Sequence, residues 1–272
     1  IVCWKVNGVI PDEWSKLANK YPARFLFYDD TRETKHYISS IRPNILKQHF
    51  TRFPEIEQEA VFYHDCDIVF TKPINWNQFL NDDKWYGSDC RWYIGHDYIK
   101  SKGEDILDEM CRIVDIDKQI VKDNELNAIG AQYLMKGINA EFWERVEKDC
   151  ERLYKEITDI NNIKKQENPS YHELQIWCSD MWCVLWNGWK LGYESVCHPA
   201  LQFAWATSPE SEWEKYNIYH NAGVVSADQG LFYKALYMNE LPYGADIQVK
   251  ENTANKRYWE LIKEIGKNSA LI

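Results

Sequence analysis

The sequence contains no long hydrophobic run. Its mean hydropathy is −0.57, and no apolar stretch approaches the roughly 18 residues that a membrane-spanning helix needs. Glycine and proline are also scarce, with 12 and 9 of 272 residues, which excludes collagen-like and low-complexity chains. No run of Lys and Arg is longer than two residues and the net charge is −10, so we do not expect a nucleic-acid partner, although a basic patch formed in three dimensions stays open.

Cysteine usage excludes a further class. The eight cysteines include no C-x-x-C pair and are too sparse for a disulfide scaffold, so reduced thiols and a cytoplasmic location are expected. The sequence begins at Ile1 rather than Met and carries no information on a targeting segment before that residue.

Aromatic residues, in contrast, are abundant. They make up 15% of the chain and include 13 tryptophans, so the chain can bury enough surface to fold. Core packing is the expected role of most tryptophans, because the indole ring is large and apolar. We assign this role to Trp143, Trp177, Trp182 and Trp186. Stacking on a sugar is the alternative role, assigned to Trp92, Trp205 and Trp213.

Strands and helices alternate in the first seventy residues. Apolar runs predict strands at 1–6, 24–28 and 60–70, and helical spacing predicts helices at 11–21 and 44–53. Because strand–helix–strand units place their strands parallel, we expect an α/β fold with a Rossmann-type, mostly parallel central sheet flanked by helices. No repeat, linker or composition break divides the chain, so a single domain is expected over residues 1–272.

The remaining elements are predicted from the same patterns. Strands are expected at 85–89 and 128–135, and a long helix is expected after the N-cap residue Asn139. Residues 159–170 are polar and predict an exposed loop, while Ser170 and Glu173 fit a capping box. A buried helix over 174–189 and a last helix over 254–265 complete the prediction, with short extended segments at 193–196, 201–206 and 218–225.

Two carboxylates, Asp65 and Asp67, interrupt the predicted third strand. Apolar residues flank the pair on both sides, so a solvated surface turn is a poor explanation. Two carboxylates at one point repel each other unless a cation compensates them, and their oxygens suit Mn²⁺ or Mg²⁺. The sequence therefore predicts a divalent metal site at this strand.

These residues also carry a resemblance to a known family. Asp65-Cys66-Asp67 resembles the D-x-D motif of GT-A-fold glycosyltransferases, which in that family holds Mn²⁺ or Mg²⁺ against the diphosphate of a nucleotide sugar. His220-Asn221-Ala222-Gly223 is similar to a second family segment, in which a histidine completes the metal shell and a small residue lies near the diphosphate. His220 alone would be taken as a polar residue at a strand end. Segments 64–67 and 182–189 are similar to uncharacterised phage and bacterial members.

The resemblance implies further site residues, several of which have a structural alternative. Asp180, near the predicted helix cap Ser179, would bind or deprotonate the acceptor hydroxyl, or else bond a neighbouring backbone group. The remaining residues would contact the donor or the acceptor, and they are Asp29, Asp30, Gly130, Ala131, Gln132, His64, Asn221 and Gly223. The alternative for Asp29 and Asp30 is an Asx turn at the end of a strand. The alternative for residues 130–132 is a glycine bulge in an ordinary strand.

The function implied is that of a metal-dependent hexosyltransferase. It would move a sugar from a nucleotide diphosphate sugar, expected to be a UDP-sugar, to a carbohydrate or other hydroxyl acceptor. Residues 1–90 would form the nucleotide-binding half and residues 91–272 the acceptor-binding half, in the cytoplasm of a bacterium or a phage-infected cell. The alternatives are a nucleotide- or carbohydrate-binding protein without turnover, a nucleotidyl- or phosphotransferase, and a glycosyltransferase of modified phage DNA bases, against which the net charge argues.

Overall fold

The computed structural model describes residues 1–10, 12–238 and 240–268, and within them the chain has an α/β fold. The strands are β1 (Val2–Trp4), β2 (Leu26–Tyr28), β3 (Val61–His64), β4 (Ile68–Phe70), β5 (Trp85–Asp89), β6 (Ile129–Met135), β7 (Ser195–Cys197), β8 (Phe203–Trp205) and β9 (Ile218–His220). The α-helices are α1 (Asp12–Lys20), α2 (Ile41–Arg52), α3 (Arg91–Ile94), α4 (His96–Lys100), α5 (Glu104–Val114), α6 (Lys118–Asp123), α7 (Ala140–Glu167), α8 (Ser179–Lys190), α9 (Glu210–Lys215) and α10 (Ala254–Asn268). Short 3₁₀ helices join several of them.

The strands form mixed sheets. β1 and β2 pair parallel in a two-stranded sheet, and the four-stranded sheet has the order β3-β6-β5-β7, in which β5 is antiparallel to β6 and parallel to β7. The three-stranded sheet has the order β4-β9-β8, with β9 antiparallel to β4 and parallel to β8. The α/β class is confirmed at this level, while the Rossmann-type arrangement stays a prediction.

The described residues group into two compact units. Unit 1 comprises Ile1–Tyr63 and Phe79–Cys197, and unit 2 comprises His64–Gln78 and His198–Ile272. The grouping differs from the predicted halves at 1–90 and 91–272, and the single-domain organisation stays a prediction. None of the helices in the described ranges is both long and apolar enough to cross a membrane.

The core of unit 1 is built around α7, which packs against α2, α5 and α8. The N-cap prediction is confirmed, since the Asn139 side chain accepts a hydrogen bond from the Phe142 N–H at 3.0 Å. The predicted loop at 159–170 is wrong, because α7 continues to Glu167. Polar residues of this segment lie on the solvent-exposed face of α7. Asn161 is buried instead, and its side chain hydrogen-bonds both the N–H and the C=O of Leu174.

Two other helix predictions for unit 1 need correction. No helix begins at Ser170, so the Ser170–Glu173 capping box is wrong; the Ser170 N–H instead bonds the Asn168 side chain. The buried helix begins only at Ser179, after a 3₁₀ turn. Its N-cap residue is Cys178, and the Ser179 hydroxyl donates to the Ile176 carbonyl, so Ser179 does not cap the helix through its side chain.

Unit 2 packs one face of its three-stranded sheet onto α9 and α10. The strand register aligns Val69 with Tyr219 and Tyr219 with Ala204, so these three side chains share one face and form a core with Trp213 and Ala254. Because side chains alternate along a strand, the residues next to them point to the opposite face. That face carries Ile68, Phe70, Phe203, Trp205, Ile218 and His220.

The predicted third strand at 60–70 is two strands. β3 belongs to the four-stranded sheet and β4 to the three-stranded one, and Asp65-Cys66-Asp67 forms the turn between them. The sequence predicted one continuous strand because apolar residues flank Asp65-Cys66-Asp67 on both sides. Each flanking apolar segment is a short strand of its own. The two carboxylates therefore lie where the backbone leaves one sheet and enters another.

Candidate metal centre and surrounding site residues

The backbone of unit 2 brings Asp67 next to His220. The antiparallel register pairs Ile68 with His220, and the Asn221 N–H donates to the Asp67 carbonyl at 2.9 Å, which extends the pairing beyond the strand ends. His220 is the last residue of β9 and Asp67 immediately precedes β4. Residues 153 positions apart in the chain are thus held side by side by main-chain hydrogen bonds, which fixes their side chains in a defined direction.

The side chains of Asp65, Asp67 and His220 converge. The His220 Nε2 lies 3.3 Å from the Asp67 Oδ1 and 3.5 Å from the Asp65 Oδ2. His220 is buried, the Asp67 side chain is 14% exposed and that of Asp65 is half-buried. Burial by itself would raise the pKa of Asp67, but hydrogen bonds and charge from His220 and Lys234 outweigh it and lower that pKa to about 2.

These three side chains fit a divalent cation. One ligand atom from each lies within 4.8 Å of the others. Two ligands at right angles, each about 2.1 Å from an ion, are roughly 3.0 Å apart, close to the distances found. The His220 Nε2 faces both carboxylates and is the ring nitrogen that would bind the ion, while the buried Nδ1 has no hydrogen-bond partner in the described residues. The set could therefore bind Mn²⁺ or Mg²⁺.

Lys234 belongs to the same cluster and was not predicted. Its ammonium group contacts the Asp67 Oδ2, while its side chain stays 54% exposed. Lys234 opens a short 3₁₀ helix, Lys234–Tyr237, 167 residues after Asp67. No local pattern marks it in the sequence, because a single lysine among aromatic residues is common at surfaces. The ammonium group supplies a positive charge where a metal ion would supply one.

The other predicted residues of unit 2 surround this cluster. His64 is exposed, and its Nδ1 lies 2.6 Å from the Asp65 carbonyl. Asn221 is buried, and its Oδ1 accepts from the Tyr219 hydroxyl at 2.9 Å, so this oxygen has a structural partner. Gly223 has a φ of 85°, a backbone conformation that favours glycine. The four positions 64, 65, 67 and 220 therefore share one environment, with 221 and 223 next to it.

Asp180 lies in unit 1 and is buried, as predicted, in an apolar setting. Its carboxylate forms an ion pair with Arg42 and accepts a hydrogen bond from the Tyr37 hydroxyl at 2.5 Å. The same hydroxyl is 2.5 Å from the Trp177 carbonyl. Burial and the Asp180 charge both raise the pKa of Tyr37, so this phenol stays protonated. Arg42 is half-buried and gives the buried carboxylate a charged partner, which removes the cost of an isolated charge.

The strand segment 130–132 in unit 1 contains a bulge. Gly87 pairs with Tyr133 but Ser88 pairs with Gly130, so Ala131 and Gln132 have no opposite residue. A Cβ atom at Gly130 would lie 2.6 Å from the terminal methyl of Met181 and 3.0 Å from the Cys90 side chain, so the space there is tight, and Ala131 has a φ of 61°. The buried Gln132 donates to the Ser88 hydroxyl at 2.6 Å. The glycine-bulge alternative describes this segment.

Asp29 and Asp30, also in unit 1, form ion pairs with basic side chains. Asp29 is exposed and pairs with Lys5 at 2.6 Å. Asp30 accepts two hydrogen bonds of 2.9 Å from the buried Arg32, which lowers its pKa below the ordinary value, and it also pairs with Lys35 at 3.0 Å. Arg32 in turn donates to backbone carbonyls and to Ser40. Asp30 therefore has a structural role in the turn after β2.

The tryptophan predictions divide into confirmed and wrong ones. Trp143, Trp182 and Trp186 are fully buried, as expected. Trp177 was assigned to packing but is 58% exposed, because it lies on a 3₁₀ turn before α8 rather than within the buried helix. Trp213 was a candidate for sugar stacking but is buried against Tyr219. Trp92 is exposed and Trp205 is half-buried with its ring against Phe203 and His220, and sugar stacking stays a prediction for both.

A second group of potential ligands, His96, Asp97 and Glu125, occurs in unit 1. Its members are already used in the fold. Glu125 accepts the Asp97 N–H at 3.3 Å at the start of α4, and the His96 Nδ1 lies 2.8 Å from the Asp97 carboxylate. This group acts as a cap for a short helix.

Comparison of the chain with protein-family models, with curated proteins and with solved structures gave no match.

Proposed function

We propose that this chain is a metal-dependent glycosyltransferase of the GT-A type, which moves a sugar from a UDP-sugar to an acceptor hydroxyl. The observation that carries the proposal is the convergence of Asp65 and Asp67 on the His220 Nε2, at 3.5 and 3.3 Å, with one ligand atom of each residue within 4.8 Å of the others. Two carboxylates and one imidazole form a hard, oxygen-rich donor set, which suits the cation of a nucleotide diphosphate. The D-x-D and His-x-x-Gly segments support the same assignment.

Sugar transfer breaks the bond between the anomeric carbon and the diphosphate, and it forms a bond from that carbon to the acceptor oxygen. Negative charge develops on the leaving diphosphate, and a divalent cation at Asp65, Asp67 and His220 would neutralise it as a Lewis acid. The chain would contribute rigid ligands, because the backbone pairing at Asn221 and Ile68 fixes them. Lys234 would add a mobile positive charge beside the same phosphates.

Asp180 is proposed to act on the acceptor side through Arg42. Its carboxylate is buried and engaged by Arg42 and Tyr37, which favours a role in holding the half-exposed guanidinium over direct removal of the acceptor proton. A guanidinium held in one orientation can donate to hydroxyl or phosphate oxygens.

A second candidate function is supported by one observation. The Lys234 ammonium already neutralises Asp67, so a protein that binds a nucleotide or a carbohydrate without metal and without turnover would also use this cluster. The two functions differ in whether Mn²⁺ binds and whether the donor is consumed.

The test measures Mn²⁺ binding by calorimetry and UDP release from UDP-glucose, UDP-galactose and UDP-N-acetylglucosamine. The wild type should bind Mn²⁺ and release UDP only with the metal. Asp67→Asn should lose both, with UDP release lowered by about a hundredfold or more, as for the loss of an electrostatic stabiliser. Asp228→Asn removes the same charge from an exposed position of unit 2 and serves as the matched control.

Three results would separate the alternatives. Binding of the UDP-sugar with neither Mn²⁺ binding nor donor cleavage supports the binding protein, and release of UMP or pyrophosphate supports a nucleotidyl- or phosphotransferase. Equal UDP release by the wild type and Asp67→Asn would remove the proposal altogether.

A further inference from the structure

A cavity of about 410 Å³, open to solvent, lies on the segment of unit 2 that follows Asp67 in the chain. It is lined by Phe70, Thr71, Lys72, Pro73, Ile74 and Trp76, which follow Asp67 directly in the chain. The volume falls in the range of roughly 300–1,000 Å³ that is typical of small-molecule sites. None of the residues predicted from the sequence to bind donor or acceptor lines it.

The cavity has an aromatic wall that leads away from the D-x-D turn. The rings of His64 and Phe70 meet edge to face at 6.4 Å between centroids, and those of Phe70 and Trp76 do so at 6.2 Å. The Phe70 side chain is 46% exposed although it belongs to a strand, and Trp76 is half-buried. Large exposed aromatic side chains beside a cavity are typical of binding surfaces.

The loop that carries the cavity is held in place by the segment before β9. The Thr71 N–H donates to the Asn217 carbonyl at 2.9 Å, and the Thr71 hydroxyl donates to the Tyr216 carbonyl at 2.5 Å. The Lys72 ammonium donates to the Glu214 carbonyl. With Pro73 next in the chain, these contacts pre-organise the wall, which lowers the ordering cost of binding a ligand.

The lining chemistry favours a neutral carbohydrate. Among the described lining residues Lys72 carries the charge, and its ammonium is held by the Glu214 backbone carbonyl, while the side chains of the other five are neutral. A pyranose ring presents an apolar C–H face to an aromatic ring and hydroxyls to surrounding polar groups. Phe70 lies three residues after Asp67 in extended chain, roughly 10 Å away, which leaves room for about one sugar unit between them.

We propose that this cavity binds a sugar unit of a neutral oligosaccharide acceptor, with Phe70 and Trp76 as the stacking surface. The binding itself follows from the cavity, whereas the role as acceptor rests on the proposed transferase function. An oligosaccharide with one sugar unit in this cavity would direct the hydroxyl of its neighbouring unit towards Asp65 and Asp67. The protein would therefore select glycans over small alcohols.

The experiment incubates the purified full chain with an array of neutral oligosaccharides in EDTA, so that metal binding plays no part. The wild type should bind a defined group of glycans. Trp76→Ala and Phe70→Ala should weaken that binding by about tenfold or more, and Trp76→Phe should restore part of it. Trp177→Ala, which removes an exposed tryptophan of unit 1, is the matched control and should bind as the wild type does.

Mn²⁺ titration of the same variants separates this proposal from the proposed function. Trp76→Ala should retain the Mn²⁺ affinity of the wild type, and this also shows that unit 2 is folded. Asp67→Asn should lose Mn²⁺ but keep the glycans. Absence of glycan binding by the wild type, or equal binding by wild type, Phe70→Ala and Trp76→Ala, overturns the cavity proposal even where Mn²⁺ binds. Loss of Mn²⁺ binding alone overturns only the transferase proposal.

Discussion

Replacing Lys234 by methionine should tighten Mn²⁺ binding to the carboxylate cluster. The Lys234 ammonium contacts the Oδ2 of Asp67, whose carboxylate would bind a metal ion, so the metal has to displace the ammonium or share the carboxylate with it. Methionine keeps the length of the side chain and removes the charge. The variant therefore removes a competitor of the metal and, at the same time, a repulsive positive charge next to it.

The size of the effect follows from the exposure of this ion pair. The Lys234 side chain is 54% exposed, and ion pairs open to solvent contribute about 0.2–1 kcal/mol. At about 1.4 kcal/mol per factor of ten, displacing the ammonium group weakens metal binding roughly 1.4- to 5-fold. Lys234→Met should therefore lower the dissociation constant for Mn²⁺ by about that factor, and the difference should shrink as salt screens the charges.

Calorimetry at low and high ionic strength measures this change. Lys256→Met is the matched control, since Lys256 also belongs to unit 2 and pairs with Glu251 at 2.5 Å, away from Asp67. It should leave the Mn²⁺ affinity unchanged. If Lys234→Met binds Mn²⁺ no better than the wild type, or if both variants gain equally, Lys234 does not compete for the metal and the reasoning is refuted.

Two further predictions concern stability. Asp30→Asn should lower the free energy of unfolding at pH 7 by about 1–3 kcal/mol, because the buried Arg32 loses its charged acceptor. Since Arg32 holds the pKa of Asp30 below its ordinary value near 3.8, this stabilisation is present above that pH and is lost as the pH falls below it. In urea unfolding the difference between wild type and variant should be constant from pH 7 to about pH 4 and should shrink between about pH 4 and pH 2; a difference that does not shrink there contradicts this. Asn161→Ala should cost about 1–3 kcal/mol in the same assay, because it leaves the buried Leu174 N–H without its acceptor, while the Leu174 C=O keeps the bond from the Ile176 N–H; an unchanged urea midpoint would show that the Leu174 N–H finds another acceptor.

Local patterns predicted the elements of this fold well where a single segment decides the outcome. The N-cap at Asn139 and the buried face of the helix that follows it depend only on spacing within about twenty residues. The end of the same helix was predicted too early, because Asn161 looks like a loop residue until its bonds to Leu174 are known. A polar residue buried by a distant backbone segment gives no periodic signal.

The candidate site shows the same division. Two carboxylates in an apolar segment indicated Asp65 and Asp67, and a second motif indicated His220, since both signals lie in short stretches of sequence. The ammonium of Lys234 carries no such signal, because its role comes from the tertiary fold. The burial of Asp180 was foreseen from its apolar neighbours, but its partner Arg42 lies 138 positions earlier and could not be found without coordinates.

The distance in sequence between Asp67 and its partners has a consequence for synthesis of the protein. Asp65 and Asp67 leave the ribosome long before His220 and Lys234, the latter 167 residues later. At about 5–20 residues per second, the interval is roughly 8–33 s. During that time the carboxylates have neither the imidazole nor the ammonium group beside them, and β4 has no neighbouring strand. A nascent chain halted before β9 would therefore lack both His220 and Lys234 beside these carboxylates, so the carboxylate cluster forms only after Lys234 has left the ribosome.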